Sequence, residues 1–343
     1  MLRKMTSHKL FMPVFCLAMV LLVNVIMTPT FFQITIREGV FYGYMIDILN
    51  RGSELILITI GMTLVGASCG GVDISVGSVA AFSGALCCIC LGDGAAYRMP
   101  LVAAFVLSLL LAALCGLFNG FLVAKLQIQP MVATLILYTA ARGGAQLLTN
   151  GGVYTIKVPK FKSLAGAIPG IPLQIPIAIA FITFLIVFVI LERTALKMSI
   201  EAVGMNRKAA KLVGIKTERI IFGCFVITAI LAGIAGVISC ARIGAADATN
   251  NNASIEMDAI LAFALGGNLM SGGKFSLTGS LIGAITIQTL TTSLYALNVS
   301  AAQLPLYKAL IVIVIVAIQS PGVQEMIARL KKKKEAERQV MAE

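Results

Sequence analysis

Long apolar runs and short polar segments alternate along the whole chain. The runs fall near residues 10–27, 53–69, 75–91, 101–124, 129–148, 172–191, 218–240, 257–271, 275–295 and 304–319. A helix needs roughly 20 apolar residues to cross a lipid bilayer. Most of these runs meet that need; the second, third and eighth are shorter or interrupted by glycine. Lipid offers backbone N–H and C=O groups no water to bond, so such runs cross as helices. The pattern predicts an all-α membrane protein with about ten transmembrane helices. The first run follows Arg3, Lys4 and Lys9 and meets no small-residue cleavage site after Met27. It reads as a retained span, not a signal peptide.

Two glycine-rich breaks interrupt the pattern. One is Gly70-Gly71-Val72-Asp73-Ile74-Ser75-Val76-Gly77; the other is Gly266-Gly267-Asn268-Leu269-Met270-Ser271-Gly272-Gly273. If ten spans form two five-helix halves, the breaks take corresponding places. An odd number per half makes the halves inverted with respect to each other. Paired, glycine-interrupted segments point to a pathway built from broken or half helices near the centre.

Composition agrees. The chain has 343 residues, 59% of them hydrophobic and 12% charged. A soluble domain carries about 25% charged residues, so this chain lacks the means to cover a water-facing surface. The net charge of +12 would suggest nucleic acid in a soluble protein. Here it reads as the cationic bias of cytoplasmic loops, and no nucleic-acid partner is expected. With the N-terminus inside, 18 of the 27 Lys and Arg fall on cytoplasmic segments and seven outside, with Arg142 and Lys308 inside spans. The expected organisation is a cytoplasmic tail over 1–9 and one membrane domain over 10–319. A cytoplasmic segment at 192–217 and a basic cytoplasmic tail at 320–343, with Lys331 to Lys334, complete it.

Polar residues at membrane depth carry the candidate chemistry. Burying a carboxylate there costs at least ~2.5–3.5 kcal/mol, so Asp73 needs donors or water. Asp73 and Ser75 are placed to cap the third span, to line a pathway, or both. Asn119 lies beside a small-residue seam of Ala112, Gly116 and Gly120, and Gly279 and Gly283 repeat that spacing; such steps let helices approach closely in lipid. Gln129-Pro130 opens the fifth span. Arg142, late in it, either faces protein or an aqueous cavity, or snorkels to the outer interface. The eight cysteines (16, 69, 87, 88, 90, 115, 224, 240) lie in apolar stretches without spaced His or carboxylate partners. They read as small buried hydrophobes, with no metal site. The single histidine, His8, lies in the N-terminal tail.

The inner segment Glu201-Ala202-Val203-Gly204-Met205-Asn206-Arg207-Lys208-Ala209-Ala210-Lys211-Leu212-Val213-Gly214 predicts a short basic helix, with Asn206 as N-cap and Gly214 as stop. So short a helix is marginal in water. It is either docked on a cytoplasmic partner or laid on the lipid surface. A phosphate-binding loop needs G-x-x-x-x-G-K-[ST]. The nearest stretch has Asn268 and Phe275 at the first and last of these positions, so it fails. No catalytic constellation appears, and any energy for uphill work comes from a partner or an ion.

Asp47-Ile48-Leu49-Asn50-Arg51 and Ala245-Ala246-Asp247-Ala248-Thr249-Asn250 look like the galactofuranose permeases within the ribose-type sugar permeases of ATP-binding-cassette (ABC) importers, and several further motifs resemble that family as a whole. They are 70–77; Asn119-Gly120 with Gln129 to Leu135 and Arg142-Gly143; Glu201 to Asn206 with Ala209-Ala210 and Gly214; and Glu256-Met257-Asp258 leading into Gly266-Gly267 and Gly272-Gly273. They come in family order between about residues 45 and 320. The resemblance implies a bacterial plasma-membrane permease with both termini cytoplasmic. Its partners would be an ABC ATPase subunit that binds the ATP, an extracytoplasmic sugar-binding protein, a second permease subunit (identical or related) and the lipid bilayer. The chain itself holds no cofactor and does no catalysis. The implied substrate pathway runs past Asp73, Ser75, Asn119, Gln129, Thr134, Arg142, Asp258 and Asn268. The implied ATPase-coupling residues are Glu201, Gly204, Asn206, Arg207, Lys208, Ala209 and Gly214. Met131 replaces the family's usual Phe, Asn268 follows a glycine pair where Thr or Ser is common, and the stretch with Asp247 and Asn250 to Asn252 is unusual. These departures bear on the sugar, not on the class. The competing readings are an ion-coupled secondary transporter, a permease for nucleosides or branched-chain amino acids, and a receptor-like membrane protein without transport.

Overall fold

A computed structural model describes residues 10–27, 31–37, 39–93 and 98–319. The predicted tails, with His8 and the lysine run, lie outside the described residues. The chain divides into two units, Met1–Thr289 and Leu290–Glu343.

Helices occupy all ten predicted positions: α1 (Phe11–Met27), α2 (Tyr44–Cys69), α3 (Val76–Leu91), α4 (Leu101–Ala124), α5 (Pro130–Leu148), α7 (Ile175–Arg193), α10 (Thr217–Ile243), α11 (Ile255–Leu265), α12 (Leu277–Ala296) and α13 (Leu304–Gln319). Shorter helices are α6 (Pro159–Lys162), α8 (Leu196–Met205) and α9 (Arg207–Leu212). Among the described residues, α2, α4, α7 and α10 are long and apolar enough to cross a membrane by themselves. Two small antiparallel pairings accompany them. β1 (Thr35–Arg37) pairs antiparallel with β2 (Val40–Tyr42), and β3 (Val153–Thr155) with β4 (Ala245–Asp247).

Two boundaries differ from expectation. α2 begins at Tyr44, well before the predicted residue 53. Its polar first turns are supported by Arg51 reaching back one turn to Asp47 at 3.2 Å, so Arg51 is a helix residue and not a loop cation. Likewise Arg242 closes the last turn of α10 and pairs with Glu54 of α2 at 3.1 Å. α11 stops at Leu265, short of the predicted 271.

The distribution of side chains suits lipid. Leu110, Leu114 and Phe118 on α4, and Phe181, Leu185 and Val189 on α7, are exposed. Ser53, Thr59, Thr63, Ser68, Ser78 and Ser83 are buried. α10 sits among α2, α3 and α4 on close-approach contacts. A Cβ at Gly236 would lie 1.9 Å from the Ala80 carbonyl oxygen of α3, so only glycine permits this crossing. Cys87, Cys88 and Cys240 pack in the same apolar cluster.

Candidate functional site

The first break is built from its own residues outward. Gly70 ends α2 in the left-handed conformation, φ 62°, which glycine adopts without a steric penalty. The chain then turns inward. Asp73 is 2% exposed, and its Oδ1 accepts from the Ser75 backbone N–H at 2.9 Å and the Ser75 hydroxyl. The Asn119 amide of α4 donates to Ser75 Oγ at 3.0 Å. The Ile74 N–H donates to Thr134 Oγ1 of α5 at 3.2 Å. Four predicted pathway residues, Asp73, Ser75, Asn119 and Thr134, thus meet in one buried network. Ser75 takes the N-cap position of α3 without a side-chain capping bond; the expected cap is replaced by a turn closed on Asp73. Asn119 Oδ1 stays buried without a hydrogen-bond partner among the described residues. Gln129 does not join: it is exposed at the N-terminus of α5 and makes no side-chain cap.

The second break is pinned by Asn268. Its amide donates to the Phe263 carbonyl at 2.9 Å and Ser280 Oγ at 2.8 Å, and its carbonyl accepts from the Ser276 N–H at 2.7 Å. Thr63 of α2 donates to the same Ser280 hydroxyl at 2.7 Å. The two breaks also touch directly. A Cβ at Gly70 would lie 2.6 Å from the Ser271 carbonyl oxygen, and the Gly273 N–H donates to the Ala67 carbonyl at 2.9 Å.

Gly204, on α8, sits where these breaks meet. A Cβ there would fall 1.8 Å from the Ala67 oxygen and 2.5 Å from the Gly273 nitrogen. Gly204 therefore faces the membrane helices. Arg207 also turns inward and donates to the last carbonyls of α4, those of Val123 and Ala124, where a cation suits the helix C-terminus. Asn206 caps α9 by accepting from the Ala209 N–H at 3.0 Å, and Gly214 takes φ 85° just beyond it. Glu201 is half-buried; Lys208, Ala209 and Lys211 are exposed. Around them Met198, Met205, Leu212 and Val213 are exposed as well, Leu212 at 89%.

Arg142 faces protein. Its guanidinium donates to the Ala248 and Asn251 carbonyls at 3.0 and 3.1 Å and lies over Tyr138. It thereby holds the 244–254 loop onto α5. In that loop Asp247 accepts from the Thr249 and Asn250 N–H groups and the Asn250 amide. Partial burial works to raise its pKa, but these donors and Arg142 outweigh it and the pKa is lowered. Asp258 sits half-buried in the first turn of α11. The neighbouring Glu256, absent from the predicted set, is the more deeply buried acid, at 3% exposure. Its signal is its place in the Glu256-Met257-Asp258 motif, which carries two acids.

Helices with exposed apolar faces around buried polar networks, two broken helical connections in contact, and a helix pair seated on them have the make-up of a polytopic membrane protein. The chain belongs to the family described as "Branched-chain amino acid transport system / permease component", whose model matches residues 44–319. It is 40% identical over 315 residues to the galactofuranose transporter permease protein YtfT of Escherichia coli, covering 92% of this chain and 90% of that protein. It is 35% identical to the fructose import permease protein FruF of Bifidobacterium longum, covering 89% of this chain and 85% of that one. It is 32% identical to the ribose import permease protein RbsC of Escherichia coli, covering 89% and 92%. No solved structure matches the chain. The resemblance drawn from the motifs is borne out.

Proposed function

We propose that the chain is the membrane-spanning permease subunit of an ATP-driven importer for a monosaccharide, galactofuranose or a similar sugar. Ten helices in two inverted five-helix halves would form the pathway in a bacterial plasma membrane, with both termini cytoplasmic. The cargo follows from relatives named for galactofuranose, fructose and ribose across most of this chain's length. A binding protein outside would deliver the sugar, two ATPase subunits inside would bind the ATP, and a second permease, identical or related, would complete the assembly. The chain would do no bond chemistry.

The observation that carries this reading is the contact of Gly204 with both breaks. A segment pushed by a cytoplasmic motor at Lys208, Lys211 and Leu212 would move Ala67 and Gly273 directly. Alternating access needs such a two-state element biased from one side. Asp73 and Asn268 would then keep each break in register while it shifts.

The test is reconstitution of the complete complex in proteoliposomes. ATP supplied to the ATPase side should drive sugar uptake that survives ionophores. Accumulation of sugar by this chain alone, under an ion gradient and without ATPase, would overturn the reading in favour of a secondary transporter.

A further inference from the structure

A cleft of about 420 Å³ opens at the N-terminal end of α2. The break at Gly70 lies at the other end of this 26-residue helix, roughly 39 Å away at 1.5 Å per residue. Three pieces of chain build the cleft: Gln33 and Thr35, then Phe41 to Asp47 where β2 runs into α2, and Gln174 just ahead of α7. Their joins are specific. Thr35 lies opposite Tyr42 in the β1–β2 pairing. The Phe41 N–H donates to the Pro172 carbonyl at 3.2 Å, which brings in the stretch with Gln174. A Cβ at Gly43 would lie 2.4 Å from the Gln33 carbonyl oxygen, so glycine lets the chain close there. Phe31, fully buried, stacks on Tyr44 with ring centroids 5.5 Å apart and holds that ring in place.

The polar groups here are unspent. At the two breaks Asp73, Ser75, Thr134 and Asn268 bond one another or the backbone. In the cleft the side chains of Gln33, Thr35, Tyr42 and Gln174 make no hydrogen bond among the described residues. Their donors and acceptors are free for something that enters.

The inventory decides the ligand. Asp47 is the one charged residue lining the cleft among the described residues, and Arg51 balances it at 3.2 Å, so neither a cation nor an anion is favoured. Two amides and two hydroxyls supply donors and acceptors side by side. Phe41, Tyr42 and Tyr44 add aromatic wall. The volume falls within the roughly 300–1,000 Å³ of small-molecule clefts. An uncharged ring with hydroxyls round its rim and C–H groups on its faces uses all of these. We propose that the cleft is a subsite for a monosaccharide at the outer end of α2. The proposal rests on the transport reading above and deepens it, giving the cargo a place to bind a helix length away from Ala67 and Gly204.

The experiment titrates the full-length chain in lipid nanodiscs, without a binding protein, with methyl galactofuranoside. Saturation-transfer NMR reads the sugar protons that touch the protein. Wild type should give a saturable signal, and gluconate, an anion of similar size, should give none. Tyr42→Ala and Gln174→Ala should each weaken sugar binding at least ~5-fold. Tyr42 is 45% exposed, so its replacement keeps the test decisive if Gln174→Ala fails to insert. No saturable signal from wild type, a gluconate signal equal to the sugar's, or variants that bind as wild type does would overturn the subsite. So would variants that lose capture of the binding protein while wild type shows no sugar signal, which would make the cleft a protein dock. A wild-type chain that binds the sugar here, in a complete complex that takes up none with ATP, instead overturns the transport reading and leaves the cleft standing.

Discussion

At the scale of single residues, burial separates those that hold the breaks from those that face a partner. Asp73 accepts two hydrogen bonds from Ser75 inside a network that excludes solvent. Asp73→Ala orphans the Ser75 N–H and hydroxyl, a loss of about 1–3 kcal/mol, whereas Asp73→Asn keeps an acceptor at Oδ1. Thermal unfolding of the purified protein in detergent should show a clear drop in Tm for alanine and a small one for asparagine; equal drops would reject the network. Gly204 and Lys208 lie four residues apart and should behave oppositely. Gly204→Ala puts a methyl into the Ala67 carbonyl and should lower Tm. Lys208→Glu alters an exposed cation and should leave Tm unchanged while weakening capture of the ATPase partner in co-purification. A Gly204→Ala protein as stable as wild type would show that α8 is not seated on the breaks.

At the scale of elements, apolar run length located every long helix, because lipid demands that each run satisfy its own backbone. What it missed were the polar starts: Tyr44 to Gly52 reads as a loop until Arg51 is paired with Asp47. The two breaks were visible as glycine clusters, yet their contact with each other and with Gly204 was not. Those contacts join residues far apart in sequence through carbonyl oxygens, which carry no sequence signature. Glu256 escaped for a related reason: nothing in a Glu-x-Asp pair tells which acid the fold buries. Glycines on one helix illustrate the limit best. Gly236 and Gly223 both lie in α10, but a Cβ at Gly236 meets the Ala80 backbone at 1.9 Å while at Gly223 nothing lies within 4 Å. Alanine in a helix interior is favoured over glycine by roughly 0.8–1.0 kcal/mol. Gly223→Ala should therefore be neutral to stabilising, and Gly236→Ala strongly destabilising because α3 and α10 must separate. Urea titration in detergent distinguishes the two; similar effects at both sites would contradict the crossing.

At the scale of the whole molecule, the proposed sidedness rests on the charge count, and the contacts group the same segments. The charge count puts 18 of the 27 Lys and Arg on the segments assigned to the cytoplasm, and positive segments are retained there. The contacts sort the same segments without using charge. Strand β3 after α5 pairs with β4 after α10, and the Phe41 N–H donates to the Pro172 carbonyl ahead of α7, so these loops share one face. Gly204, Ala67 and Gly273 meet elsewhere, and Arg207 reaches the end of α4, which gathers the other set of segments together. Lys157, Lys160 and Lys162 fall in the first set, against the charge rule. They are carried by a folded segment whose Phe161 is fully buried, and the excess of 18 over seven stands with them counted. The expected outcome follows for reporter fusions in a bacterial host. Green fluorescent protein at the C-terminus should fluoresce, as it folds in the cytoplasm, and alkaline phosphatase fused after Pro169 should be active, as it needs the outside. A dark C-terminal fusion together with an inactive phosphatase would invert the molecule, putting the α8–α9 segment outside, beyond reach of any cytoplasmic ATPase.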